Sequence, residues 1–254
     1  MNISLTIDTD LLLHHRLTIP EHSEHRCVIG GGLRGLVWGI TWLEQGDTVS
    51  LIDDRQEIGT PSRRVGWLES SGVGYQWLKS KINLKSIMHT THSKQYQSGL
   101  RVEWLEKLLT IAYLKLGGQV LSRTFVSKSN GKILIEGTSS SVITTDWTTI
   151  HNATGHQPST PGAEGIPLNL ILDYRWEGGV VSAHIFEKHQ FNSPVLTLER
   201  TDNSLELWFK QDERPQSPYW LEIIDTHRSA LIEELEISNH IERILTQHRE
   251  SHDL

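Results

Sequence analysis

Between residues 26 and 53 the apolar positions fall into three blocks. A short run, Cys27-Val28-Ile29, enters a glycine cluster, a helix-length apolar segment follows, and a second run, Val49, Leu51 and Ile52, ends on Asp53. That order predicts the strand, helix and strand of a dinucleotide-binding unit. Residues 68–84 and 100–116 are expected to be helices. In the second, Leu100, Trp104, Leu105, Leu108, Ala112 and Leu116 recur at helical spacing as expected core positions, and Gly117-Gly118 stops it. Short alternating runs at 119–124, 132–136 and 142–144, with Asn130-Gly131 and Gly137 between them, predict a small β-meander. Strand-like runs follow at 179–186, 194–199 and 205–210, the last two joined by an Asp202-Asn203 turn. From Asp225 to Arg249 the apolar residues Leu231, Ile232, Leu235, Ile237, Ile241, Ile244 and Leu245 alternate with charges. This reads as an amphipathic helix, broken near Ser238-Asn239, that packs on the domain or on a second copy or partner subunit.

The glycines are spaced Gly30-x-Gly32-x-x-Gly35. Gly30 allows the tight turn off the strand, Gly32 lets backbone approach a pyrophosphate, and Gly35 lets the helix pack closely. The amides that open the helix, at Leu33 and Arg34 among others, then face the phosphates. Gly39 and Gly46 are expected on the helix face that presses on the strands. Asp53, followed by Asp54, stands near the ~20-residue distance at which a carboxylate meets the adenosine ribose. These features serve FAD and NAD alike.

Composition narrows the class. The chain has 254 residues and a net charge of −7, with no run of Lys and Arg, which argues against a nucleic-acid surface. A single cysteine, Cys27, rules out intrachain disulfides and suits a reduced, cytoplasmic setting, with the thiol as buried filler. Leu11-Leu12-Leu13 and a strand around Ile3–Ile7 form an N-terminal extension, too short in its apolar run for a membrane span. The 14 histidines are scattered; His14-His15 and His89/His92 come closest to ligand spacing, and no metal site is expected. No catalytic constellation stands out. The nine tryptophans point to an aromatic pocket or a well-filled core.

The segment after Asp53, with its Gly59-Thr60-Pro61 loop leading to Arg64 before Val65-Gly66, resembles flavoproteins of the aromatic-hydroxylase, geranylgeranyl-reductase and lycopene-cyclase type. Arg101, ahead of a helix, and Ala153-Thr154-Gly155, at the end of a returning strand, are similar to the same family. The resemblance implies an α/β, Rossmann-like FAD-binding fold with a β-rich substrate region. It implies an FAD-dependent oxidoreductase, of monooxygenase or reductase type, acting on a hydrophobic or aromatic small molecule. By the same resemblance Arg64 approaches the diphosphate, while Arg101 and Gly155 lie near the cofactor.

His151-Asn152 departs from the family's apolar residues, so that strand is expected to be less buried than usual. The family's later Gly-Asp motif is also missing, since the one Gly-Asp is Gly46-Asp47. The resemblance therefore covers roughly 26–210 and reads as truncated at the C-terminus. The expected organisation is an extension (1–25), a dinucleotide-binding domain (26–159), a reduced β-rich region (160–220) and the C-terminal helix (221–254). Two other readings stay open: an NAD-dependent enzyme, and an accessory subunit that needs a partner.

Overall fold

The computed structural model describes residues 24–59, 65–91, 98–129, 132–137, 147–154, 176–189, 191, 194–210, 212–225 and 236–250. Its centre is a four-stranded parallel sheet built from β1 (His25–Ile29), β2 (Thr48–Ile52), β6 (Gln119–Leu121) and β9 (Thr149–Asn152) in the order β6-β2-β1-β9. Between β1 and β2 runs α1 (Leu33–Glu44). It ends because Gly46 takes φ +94°, and the amides of Gly46 and Asp47 donate to the carbonyls of Leu43 and Trp42 at 3.1 Å. Those two bonds are a Schellman cap. Gly46 is therefore a helix stop, not part of the packing face.

Two helices pack around α1, namely α3 (Val102–Lys115) and α5 (Ile237–Glu250), and α5 also lies on α2 (Gly72–Lys81). The core between them holds Leu36, Val37 and Ile40 of α1, Leu105 and Leu109 of α3, and Ile241 and Ile244 of α5. Gly39 meets the Tyr113 ring of α3, 2.8 Å from where its Cβ would be, so it faces a helix and not the strands. The buried stripe of α3 is Val102, Leu105, Glu106, Leu109 and Tyr113. Trp104 and Leu116, expected in the core, are 48% and 44% exposed. The stripe is rotated because Leu100 belongs to a strand and α3 starts two residues later.

That strand is β5 (Ser98–Arg101), flanked by β3 (Val65–Leu68) and the short β4 (His89–Thr90). The helix expected at 68–84 consequently begins at Gly72 and ends at Lys81. β6 is not part of a meander: after Gly117 (φ +92°) turns the chain, it pairs in parallel with β2, where that strand would otherwise leave its edge unpaired. The antiparallel hairpin is β7 (Thr124–Ser129) with β8 (Lys132–Gly137), lying on the sheet face opposite α1. The run at 142–144 and residues 1–23 of the N-terminal extension lie outside the described residues, while His25, placed in that extension, is the first residue of β1.

A second sheet, β11-β12-β10-β13, is antiparallel: β10 (Trp176–Ser182), β11 (Leu196–Glu199), β12 (Ser204–Lys210) and β13 (Glu222–Asp225). One face packs on β3 through Val65, Trp67, Trp176, Leu198 and Trp208. The strand expected at 179–186 stops at Ser182, whose hydroxyl accepts the Ile185 amide and caps α4 (Ala183–Lys188). β13 went unpredicted. Of the expected C-terminal helix the described part starts at Ile237, with the Glu236 carboxylate accepting the Ser238 and Asn239 amides in its first turn, while Asp225 ends β13 and Leu231, Ile232 and Leu235 lie outside the described residues. Its apolar stripe is covered within the chain by α1 and α2, where Gly74 has no room for a Cβ beside the Ser238 carbonyl oxygen at 1.9 Å.

Candidate functional site

The C-terminal ends of β1, β2 and β9 meet in a solvent-open groove, lined among others by Gly30, Gly32, Asp53, Asp54, Ala153 and Thr154. The groove exists because backbone approaches backbone unusually closely. Gly30 has φ +104°, and a Cβ there would sit 2.8 Å from the Ala153 carbonyl carbon and oxygen. Gly35 packs α1 onto the same turn, with only 1.9 Å between its would-be Cβ and the Gly30 carbonyl oxygen. Gly31, which spacing alone did not single out, is also close-packed, but against side chains: its Cβ would meet Ile58 at 2.8 Å and an Asp53 carboxylate oxygen at 2.9 Å.

Gly32 differs from these three. It is the N-cap of α1, with no side-chain cap and an ordinary φ of −72°. Among the described residues a Cβ there would meet nothing nearer than Glu106 Oε1 at 3.8 Å. Among those residues the position is open, and a side chain there would fill space beside the amides that begin α1.

Asp53 follows β2 and is 4% exposed. Its Oδ2 accepts the Gly31 amide at 2.5 Å and Arg55 Nη2 at 2.9 Å. Its Oδ1 accepts the Arg55 amide at 2.9 Å and Arg55 Nε at 2.7 Å. Burial pushes the carboxyl up, but the Arg55 fork and the two amides outweigh burial and hold it below the usual carboxylate range. Arg55 reaches onward through Nη1 to Glu106 Oε2 on α3, at 3.4 Å. This buried Asp53-Arg55-Glu106 chain links the acid to the helix behind the glycine turn. Arg55 and Glu106 were missed in the sequence; the signal available was an Arg two residues after the acid and one Glu inside an otherwise apolar helix stripe.

The other expected residues divide. Leu33 is 2% exposed in the core, so only its backbone is left to face a ligand. Arg34 turns to α5 and donates to Gln247. Arg101 pairs with Glu103 at 3.2 Å and with Glu206 of β12 at 3.5 Å, which draws it towards the antiparallel sheet instead of the groove. Arg64 and Gly155 lie outside the described residues.

β9 is less buried than β1 and β2, as the His151-Asn152 departure led one to expect: of its four residues only Asn152 is buried. Asn152 is 7% exposed, and its Oδ1 accepts the Thr154 amide and hydroxyl at 2.9 and 2.7 Å, a local turn that presents Ala153-Thr154 to the groove. His151 stacks on Trp38 of α1 at 3.6 Å and 10°. Burial, with the nearby charges of Arg34 and His248, pushes its imidazole down to about 3. Cys27 is fully buried and burial pushes its thiol up to about 12, as befits filler. His89 Nδ1 bonds the Glu199 carbonyl at 2.9 Å, and His14, His15 and His92 lie outside the described residues. Among the described residues no cluster of three His, Cys, Asp or Glu could hold a metal ion, and no helix is long and apolar enough to cross a membrane.

No protein-family model and no curated sequence matches the chain. Solved structures do. The p-nitrophenol 4-monooxygenase PnpA from Pseudomonas putida DLL-E4 is similar with a TM-score of 0.56 at 10% identity, over 90% of this chain and 81% of that one. AlpK is similar with a TM-score of 0.50 at 15% identity, over 75% of this chain and 44% of that one. The chain thus spans less than half of AlpK, and half of the Diels-Alderase PyrE3. At such identities the likeness is one of fold, and that fold is α/β and Rossmann-like, a parallel sheet joined to antiparallel sheets.

Proposed function

We propose that the chain is an FAD-dependent oxidoreductase of monooxygenase or reductase type whose groove seats the adenosine and diphosphate of the cofactor, and whose substrate is a hydrophobic or aromatic small molecule. The observation that carries this is the opening at Gly32: among the described residues only Glu106 comes within 4 Å of a Cβ at this N-cap of α1, which has no side-chain cap, and a buried acid stands nearby at the end of β2. The fit holds for this half of the cofactor. The α1 amides suit the diphosphate, Asp53 stands at the end of β2 where a ribose diol would lie, though Arg55 now occupies its carboxylate, and Ala153-Thr154 lines the far side. When bound, the flavin supplies the redox chemistry, and the protein binds and orients it. The fold shared with a p-nitrophenol monooxygenase supports the aromatic-substrate class.

A second reading, an NAD-dependent enzyme, is favoured by one observation. Arg101, a match that pointed to a flavin, is held by Glu103 and Glu206 away from the groove. The experiment that separates the two is direct. Purified protein, or protein incubated with FAD, is expected to show a flavin absorption band and to release the cofactor on denaturation. Binding should vanish in Gly32→Val while the fold is kept, because the side chain fills the diphosphate space. A colourless protein that takes up NAD but not FAD would reject the flavin reading. Unchanged binding by Gly32→Val would reject the site.

A further inference from the structure

Reading the groove as an adenine-nucleotide seat creates a conflict at Asp53. An ionised carboxylate has about four acceptor positions, and all four are taken: Gly31 N–H, Arg55 N–H, Arg55 Nε and Arg55 Nη2. A ribose hydroxyl cannot add to this set. It must replace a member, and the two backbone amides cannot leave. The Gly30 amide, next to Gly31, is bonded to the Ile52 carbonyl at 2.7 Å; the Asp53 amide is bonded to the Leu121 carbonyl, the Thr124 amide to the Asp53 carbonyl and the Arg123 amide to the Arg55 carbonyl, at 2.9–3.0 Å, so the glycine turn is fastened to β2 and the 53–55 backbone to the β6–β7 connection. Only the Arg55 side chain is free of that fastening. Its outer nitrogen Nη1 already points at Glu106 Oε2 across 3.4 Å, a distance at the long limit for a hydrogen bond. Glu106 is 2% exposed, in the same water-excluded layer, so a guanidinium that turns towards it keeps its charge compensated.

We infer that Arg55 is a two-position gate on the nucleotide seat: it caps Asp53, and it turns towards Glu106 when a ribose 2′-hydroxyl takes its place on the carboxylate. Arg55 and Glu106 are positioning residues in this scheme, since neither is assigned a bond to the ligand. Glu106 matters because it receives the displaced fork. Without it the ligand must strip Asp53 of Arg55 and leave a buried guanidinium short of an acceptor. The inference rests on the proposed nucleotide site, but it concerns discrimination within that site.

The test uses the full chain and two probes, ADP and 2′-deoxy-ADP, in titration calorimetry. ADP occupies the seat whether the cofactor is FAD or NAD. Wild-type protein is expected to prefer ADP by about tenfold, the effect of one hydrogen bond to a charged group. In Glu106→Gln the preference should fall to about threefold or less through weaker ADP binding, with 2′-deoxy-ADP unchanged. In Arg55→Lys, whose ammonium cannot fork, an acceptor position on Asp53 opens; ADP binding should strengthen while 2′-deoxy-ADP again stays put. If Glu106→Gln does not fold, Arg55→Lys decides. A purely structural role would shift both probes by the same factor in either variant, and that result overturns the gate. Wild-type binding of both probes with equal affinity also overturns it, while leaving the nucleotide site intact. Binding of neither removes the site and the gate together.

Discussion

The parallel and antiparallel sheets both use glycine for close approach, but against different neighbours. At the end of the parallel sheet the neighbour is backbone: Gly35 would drive a Cβ to 1.9 Å from the Gly30 carbonyl oxygen, and Gly30 to 2.8 Å from the Ala153 carbonyl. In the antiparallel sheet the neighbours are mainly aromatic rings. A Cβ on Gly179 would meet the Trp220 ring at 2.5 Å, and one on Gly178 would meet Trp208 and Ile224 at 3.2 Å. A ring can tilt or shift, whereas a hydrogen-bonded peptide cannot move without its ladder. Close approach is thus rigid where the groove at the ends of β1, β2 and β9 is built and adjustable where the second sheet packs.

This contrast can be broken by experiment. The largest effect is expected for Gly35→Ala, on the order of 4 kcal/mol or complete loss of folded protein, read by chemical denaturation. A loss below about 1 kcal/mol would show that the α1 turn is as adjustable as the ring contacts.

Next in size is a pH effect confined to the parallel sheet. His151 is held near 3 when folded, against an ordinary 6.5, so the unfolded chain binds a proton that the folded chain refuses. That stability is present above pH 6.5 and is lost as pH falls from 6.5 towards 3, by about 1.4 kcal/mol per pH unit at most. Between pH 7 and pH 5 the loss is expected on the order of 2 kcal/mol. His151→Phe, which preserves stacking on Trp38, should flatten that slope. Asp53 acts in a different window: its carboxyl is held low, so its contribution disappears only as pH falls below the ordinary carboxylate value of 3.8.

Gly179→Ala should cost about 1 kcal/mol, as the Trp220 indole shifts within reach of the Pro215 carbonyl it donates to at 3.1 Å. A loss as large as that of Gly35→Ala would erase the distinction between the sheets. Smallest of all is the stability change of Gly32→Ala, below about 1 kcal/mol by denaturation, because no atom of the described residues lies within 3.4 Å of the added methyl. A large loss there would mean that the open space at Gly32 is structural and does not belong to a ligand.

Much of the glycine turn was legible because its constraints are local. Gly30, Gly32, Gly35 and Asp53 lie within 24 residues, and backbone geometry dictates their spacing whatever surrounds them. Arg55-Glu106 was not legible, since the partners lie 51 positions apart and nothing in either neighbourhood names the other. Arg101 shows the opposite case: a local match suggested a cofactor contact, and Glu206 on a distant strand redirects the side chain.

The amino-acid sequence by itself determined the β-α-β unit, the strand-to-helix turn and the amphipathic C-terminal helix, because periodicity and glycine conformation are properties of short segments. Only the tertiary structure decided that β6 joins the parallel sheet beside β2, that α3 buries Glu106 while exposing Trp104, and that Asp53 is capped by Arg55. Each of these depends on which edge, face or charge a distant segment brings. Pairing energy is available to any strand with an open edge, and burial goes to whichever helix face the neighbours cover.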